Sequence, residues 1–128
     1  TSDIPDELYL VHSRERMWES DAKWMDYLKR SPIYWVDRAE TPLLIMHGAE
    51  DTRVHPAQSL ELYRHLKVRK PDVPVRLVYY PGEGHGNTRA SSRFDYSHRM
   101  LRWFDTYLMS GDASAEIPEW DAPVPEMD

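Results

Sequence analysis

Two short segments of this 128-residue chain hold side chains that can exchange protons. One is His47-Gly48-Ala49-Glu50-Asp51-Thr52-Arg53-Val54 and the other is Pro81-Gly82-Glu83-Gly84-His85-Gly86. Asp51 and His85, 34 positions apart, are the material of general acid–base chemistry. An imidazole titrates near neutral pH and can pass a proton in either direction, and a carboxylate can orient the ring and stabilise its cation. Each residue also has a plainer reading. Asp51 could be a turn acid capping a helix that begins near Pro56, His85 could be a loop histidine bonded to backbone, and Glu50 is an adjacent rival acid.

The elements that must position these residues are legible in outline. Leu43-Leu44-Ile45-Met46 is a continuous apolar run after Thr41-Pro42, the pattern of a strand covered on both faces. Pro56 suits a first helical turn, and Ala57, Leu60, Tyr63 and Leu66 continue a helix to about Lys70. After Lys70-Pro71-Asp72-Val73-Pro74 breaks it, Val75 to Tyr80 forms a second strand. A strand, helix, strand unit implies a parallel pair with a right-handed crossover. The acid and the histidine then lie just past the carboxyl ends of neighbouring strands, where open α/β sheets place their sites. Acid followed by histidine is also the order of an α/β-hydrolase triad.

Two further helices flank this unit. Met17 to Arg30 carries an apolar stripe of Met17, Trp18, Trp24, Met25 and Leu28, read as packing residues, and Ser31-Pro32 stops it. Ser92 to Met109 carries Phe94, Leu101, Phe104 and Leu108, and Gly111 ends it. Two parallel strands cannot bury both faces under three helices, so the expected fold class is α/β with an incomplete sheet, the C-terminal portion of a larger one.

Charge and composition narrow the function classes. The chain has 16 Lys plus Arg against 22 Asp plus Glu, and six of those acids fall in residues 110–128, which hold no Lys or Arg. The body is balanced and the proline-containing tail is anionic, so the tail reads as extended or disordered. A neutral body lacks the basic field that phosphate backbones and anionic membranes need, which argues against both as partners. No apolar run approaches the roughly 20 residues of a membrane span, so the expectation is a soluble protein, with the compartment open between cytoplasmic and periplasmic or secreted. Zero cysteines remove thiolate catalysis and cysteine-bound zinc. His12, His55, His65 and His98 show no metal-binding spacing, and the glycine loop lacks a phosphate-binding lysine, so no metal or cofactor is expected. His47 reads as a packing or hydrogen-bonding residue, and Arg53 either pairs with a nearby acid or is solvated. Six methionines with Thr at position 1 suggest an N-terminus made by processing, cloning or selection of a fragment.

The segments Thr41 to Val54 and Tyr80 to Gly86 resemble the C-terminal part of the catalytic domain of prolyl oligopeptidase family serine peptidases, nearest to the dipeptidyl and acylaminoacyl aminopeptidase-like members. The likeness extends to the Thr1 to Pro5 lead-in, Ser31-Pro32 and the Trp103-Phe104-Asp105 helix, and lapses in the tail. His55 departs from the proline these peptidases often carry there. The resemblance implies an α/β-hydrolase fold over residues 1–109 with Asp51 as triad acid and His85 as base. It also implies a peptide substrate, an N-terminal β-propeller in the whole protein, and a serine on an earlier strand.

No serine here lies within a G-x-S-x-G elbow, because the five glycines are Gly48, Gly82, Gly84, Gly86 and Gly111. The partner this implies is the upstream part of the same catalytic domain, carrying the nucleophile. Two other readings stay open: an esterase-type α/β-hydrolase, and a non-catalytic module that pairs with another chain, or with a second copy of itself, through the open sheet edge. The missing elbow makes a direct prediction. Residues 1–128 alone should not react with a fluorophosphonate serine probe, and stoichiometric labelling seen by intact-mass spectrometry would refute it.

Overall fold

A computed structural model describes residues 18–117, and the Thr1 to Pro5 lead-in, Met17 and the tail from residue 118 onward lie outside the described residues. In chain order the elements are helix α1 (Asp21–Arg30), a 3-10 segment (Pro32–Arg38), strand β1 (Leu43–Gly48), helix α2 (Ala57–Arg69), strand β2 (Val75–Tyr80) and helix α3 (Ala90–Phe104), which continues as a π-helical segment (Asp105–Met109).

Local chemistry accounts for the boundaries. Ser20 caps α1 by accepting from the Lys23 amide at 3.2 Å, with Asp21 in the first turn and Lys29 and Arg30 in the last, charges that oppose the helix dipole favourably. The Ser31 hydroxyl donates to the Tyr27 carbonyl at 3.0 Å. Pro32 then stops α1 and at the same time starts the 3-10 segment, because proline is tolerated in a first helical turn. From the sequence, Pro32 reads only as a stop. Pro56 precedes α2, which ends at Arg69 just before Lys70-Pro71.

β1 and β2 pair in parallel in the register Leu43 with Val75 through Gly48 with Tyr80. One face is covered by α2 and the 3-10 segment, where Val36, Leu66 and Val75 form the core with Ile33, Ile45 and Leu62 packed against them. On the other side, the Trp103 indole of α3 donates to the Pro42 carbonyl at 3.4 Å. The Tyr80 hydroxyl donates to Asp95 of α3 at 2.9 Å, on the same carboxylate oxygen that receives Arg99 Nε at 2.7 Å. Burial and this bond to a carboxylate both push the Tyr80 hydroxyl pKa up.

Among the strand residues only Gly48, Val75 and Tyr80 are buried, and the others are partly open. The apolar run at 43–46 therefore forms a strand, but two strands and these helices do not cover both of its faces. The described residues form a partial α/β unit. Among them no helix is long and apolar enough to cross a membrane. After the π-helical segment the chain turns back at Gly111, and the Tyr107 hydroxyl donates to the Ala115 carbonyl at 3.2 Å.

The small core makes Leu66, at 2% exposure, the residue on which packing of α2 depends. Leu66→Ala should cost about 2–5 kcal/mol in urea unfolding, whereas Val68→Ala on the exposed side of α2 should stay within about 0.5 kcal/mol.

Candidate active site

Both strands end together, at Gly48 and Tyr80, and each releases a loop at the same edge of the sheet. The loops are fastened to each other by backbone. The Ala49 amide donates to the Tyr80 carbonyl at 2.9 Å and the Glu50 amide to the Glu83 carbonyl at 3.0 Å. Their approach is close enough that a Cβ at Gly48 would overlap the carbonyl oxygens of Glu83 and Gly84. Gly82, at φ 74°, makes the turn that a side chain would strain.

Asp51 sits in the first loop at 7% exposure, while its neighbour Glu50 is exposed. Its Oδ1 accepts the Arg53 amide at 2.8 Å and the Val54 amide at 2.9 Å. Its Oδ2 lies 2.9 Å from His85 Nδ1 and 3.2 Å from His47 Nε2. Burial works to raise the Asp51 pKa, but the Val54 amide, the His85 imidazole and the Arg53 amide outweigh it and hold the carboxyl well below the usual carboxylate range. Arg53 acts on the acid through its backbone, and the residue itself is exposed.

The protonation pattern follows from these partners. A carboxylate only accepts, so His85 Nδ1 must carry the hydrogen in this bond. The neutral ring then keeps its lone pair on Nε2, the nitrogen suited to take a proton from a reactant. The His85 side chain is 47% exposed, so a reactant can reach it. It lines a cleft of about 450 Å³ together with Met46, Tyr80, Arg93, Tyr96 and Ser97. The structure thus brings the two sequence-predicted site residues into hydrogen-bond contact at one sheet edge. Among the described residues no group of three or more His, Asp or Glu side chains is arranged to hold a metal ion.

One residue that holds this site escaped the sequence reading. Glu83 is completely buried inside the glycine loop. Its Oε2 accepts the Thr88 amide at 2.7 Å and the Thr88 hydroxyl at 3.1 Å, and its Oε1 accepts the Arg89 amide at 3.1 Å. The Thr88 amide and the Ser92 hydroxyl lower its pKa, burial opposes them, and with the Arg89 amide and Thr88 hydroxyl added the value is about 2. The carboxylate ties the far side of the loop to the start of α3 and so fixes where His85 emerges. An acid two residues before the histidine was the only sequence signal, and nothing local reveals that it turns inward.

Comparison with known proteins gives a family match, two relatives and a similar solved structure. The model of the prolyl oligopeptidase family matches residues 3–111. The acylamino-acid-releasing enzyme of Homo sapiens is 40% identical over 87 residues, 68% of this chain and 12% of that protein. Dipeptidyl peptidase family member 6 of Caenorhabditis elegans is 42% identical over 89 residues, 70% of this chain and 12% of that protein. The chain therefore spans about 12% of the length of these curated relatives. In fold, it is similar to the crystal structure of puromycin hydrolase with a TM-score of 0.62 at 24% identity, covering 80% of this chain and 15% of that one.

Glu83 gives the site a testable acid sensitivity. Its folded pKa of about 2 lies below the ordinary 4.5, so its contribution to stability is present above pH 4.5 and is lost as pH falls toward 2. Urea midpoints of the wild type should fall across that window. In Glu83→Gln the midpoint should be lower at neutral pH, and the fall between pH 4.5 and 2 should be shallower. A parallel pH dependence in the two proteins would remove Glu83 from this role.

Proposed function

The chain belongs to the prolyl oligopeptidase family, and we propose that it supplies the acid and the base of a serine peptidase acting on short peptides near their N-termini. The observation that carries this reading is the 2.9 Å contact of Asp51 Oδ2 with His85 Nδ1 beside an open cleft. The names of the relatives, an acylamino-acid-releasing enzyme and a dipeptidyl peptidase family member, favour cleavage close to a peptide's N-terminus.

The chemistry follows from the hydrogen positions. His85 Nε2 takes the proton of a serine hydroxyl as its oxygen attacks the scissile carbonyl, and the ring becomes an imidazolium with both nitrogens protonated. Asp51 stays ionised and stabilises that cation across the Nδ1 bond, and the Nε2 proton then passes to the leaving amine. Water repeats the cycle on the acyl-enzyme. Burial makes the Asp51 charge effective, because few water dipoles screen it from the ring. The two backbone amides on Oδ1 prevent the carboxylate from turning away.

The nucleophilic serine belongs to an earlier strand of the same catalytic domain, outside residues 1–128, together with the oxyanion donors. That domain is the partner of this chain, and the partly open strands support the assignment, since a parallel sheet is stable when both faces are covered. Residues 1–109 form the closing part of the catalytic domain, and the acidic segment from Ser110 onward lies outside its chemistry.

In the complete polypeptide that contains this chain, Asp51→Asn and His85→Ala should each lower kcat on a short peptide p-nitroanilide by roughly 10³–10⁴-fold, with the native fold retained by circular dichroism. Near-normal turnover in either variant would overturn the assignment.

A further inference from the structure

His47 has the surroundings of a third working residue. It is the penultimate residue of β1, and its side chain is 12% exposed. Nε2 lies 2.9 Å from the Val54 carbonyl and 3.2 Å from Asp51 Oδ2, both acceptors, so this nitrogen carries hydrogen. Nδ1 lies 2.6 Å from the Ser59 hydroxyl in the first turns of α2. With the ring neutral, that hydroxyl donates to Nδ1 and fixes the tautomer that presents N–H to the acid loop. Val54 in turn donates its own amide to Asp51 Oδ1 at 2.9 Å. The imidazole therefore holds the Val54 peptide by its oxygen while the nitrogen of the same residue holds the carboxylate, and its N–H also lies beside the other carboxylate oxygen.

We propose that His47, set by Ser59, is a positioning residue that holds the Asp51 carboxylate in the orientation in which His85 can use it. The inference rests on the peptidase reading of Asp51 and His85. A purely structural histidine would need only to join β1 to α2. The Val54 and Asp51 contacts reach past that junction into the acid loop.

The direction of the effect follows from the geometry. The His47 N–H holds the Val54 carbonyl, and the Val54 amide is one of the two that hold Asp51 Oδ1. Losing the imidazole frees that peptide, so the carboxylate turns from His85 and stabilises its protonated form less. The titratable groups around His47 are Asp51, His85 beyond it, and Tyr79 of β2, whose ring centroid is 6.4 Å away and whose hydroxyl donates to the Pro56 carbonyl at 2.6 Å.

The test uses the complete polypeptide, with active sites counted by fluorophosphonate titration so that misfolded protein does not enter kcat. His47→Leu should lower kcat per site about 10- to 100-fold with KM within about twofold, since misplacing a catalytic group costs on that order. The acidic limb of kcat/KM should move down by roughly half to one pH unit, the scale of one hydrogen bond. His47→Gln, which restores a side-chain N–H at similar reach, should recover most of both. Ser59→Ala, which leaves the imidazole in place, should show a smaller change of the same sign and serves if His47→Leu does not fold. Unchanged kcat per site and an unmoved acidic limb in Ser59→Ala and His47→Leu, even with lower unfolding midpoints, would overturn the proposal and leave the peptidase reading standing. Full activity in Asp51→Asn would overturn both.

Discussion

A carboxylate taken out of water must be compensated by its neighbours, and the sheet edge of this protein is organised around that requirement at Asp51. Two backbone amides meet one oxygen and two imidazoles approach the other. These groups come from three stretches of chain. Arg53 and Val54 belong to the acid loop, His47 to the end of β1, and His85 to the loop after β2. The charge can persist only while β1 and β2 stay in register and both loops stay fastened, so the fold and the electrostatics of the site are the same arrangement.

Glu83 repeats the principle on the other side of the edge. Its buried charge is met by the Thr88 amide and hydroxyl and the Arg89 amide, just before α3, and its carbonyl receives the Glu50 amide from the acid loop. The side chain holds the loop that presents His85, and the main chain of the same residue holds the loop that presents Asp51. Gly48 permits this because no side chain fits between the strand end and the Glu83 and Gly84 carbonyls. Glu83 and Gly48 thus fix the relative position of Asp51 and His85.

What was legible in the sequence were features with a local cause. Val75 to Tyr80 forms a strand over its whole predicted span, because a segment rich in β-branched and aromatic residues between Pro74 and Pro81 has few other conformations open to it. The second helix keeps its expected ends because Pro56 and Pro71 bound it. The last helix begins two residues earlier than its apolar stripe indicates and passes into a π-helical segment at Asp105, a change of hydrogen bonding that periodicity does not encode. The 3-10 segment at Pro32–Arg38 was hidden because one proline serves two elements. At the site, Glu50 and Asp51 are neighbours of like chemistry. The family resemblance separates them by motif, and in the fold one is exposed and the other buried. His47 and Glu83 were unreadable as partners of the site for a different reason: their contacts depend on the three-dimensional approach of the loops and α2.

In the proposed peptidase, Asp51 and His85 serve a serine held by another part of the same polypeptide. The most direct measurement is a crystal structure of the complete polypeptide after reaction with a fluorophosphonate. The adduct should sit on a serine outside residues 1–128, within a G-x-S-x-G turn, with its Oγ about 3 Å from His85 Nε2 and Asp51 still against Nδ1. An adduct on a residue remote from His85, or His85 turned toward a different acid, would contradict it.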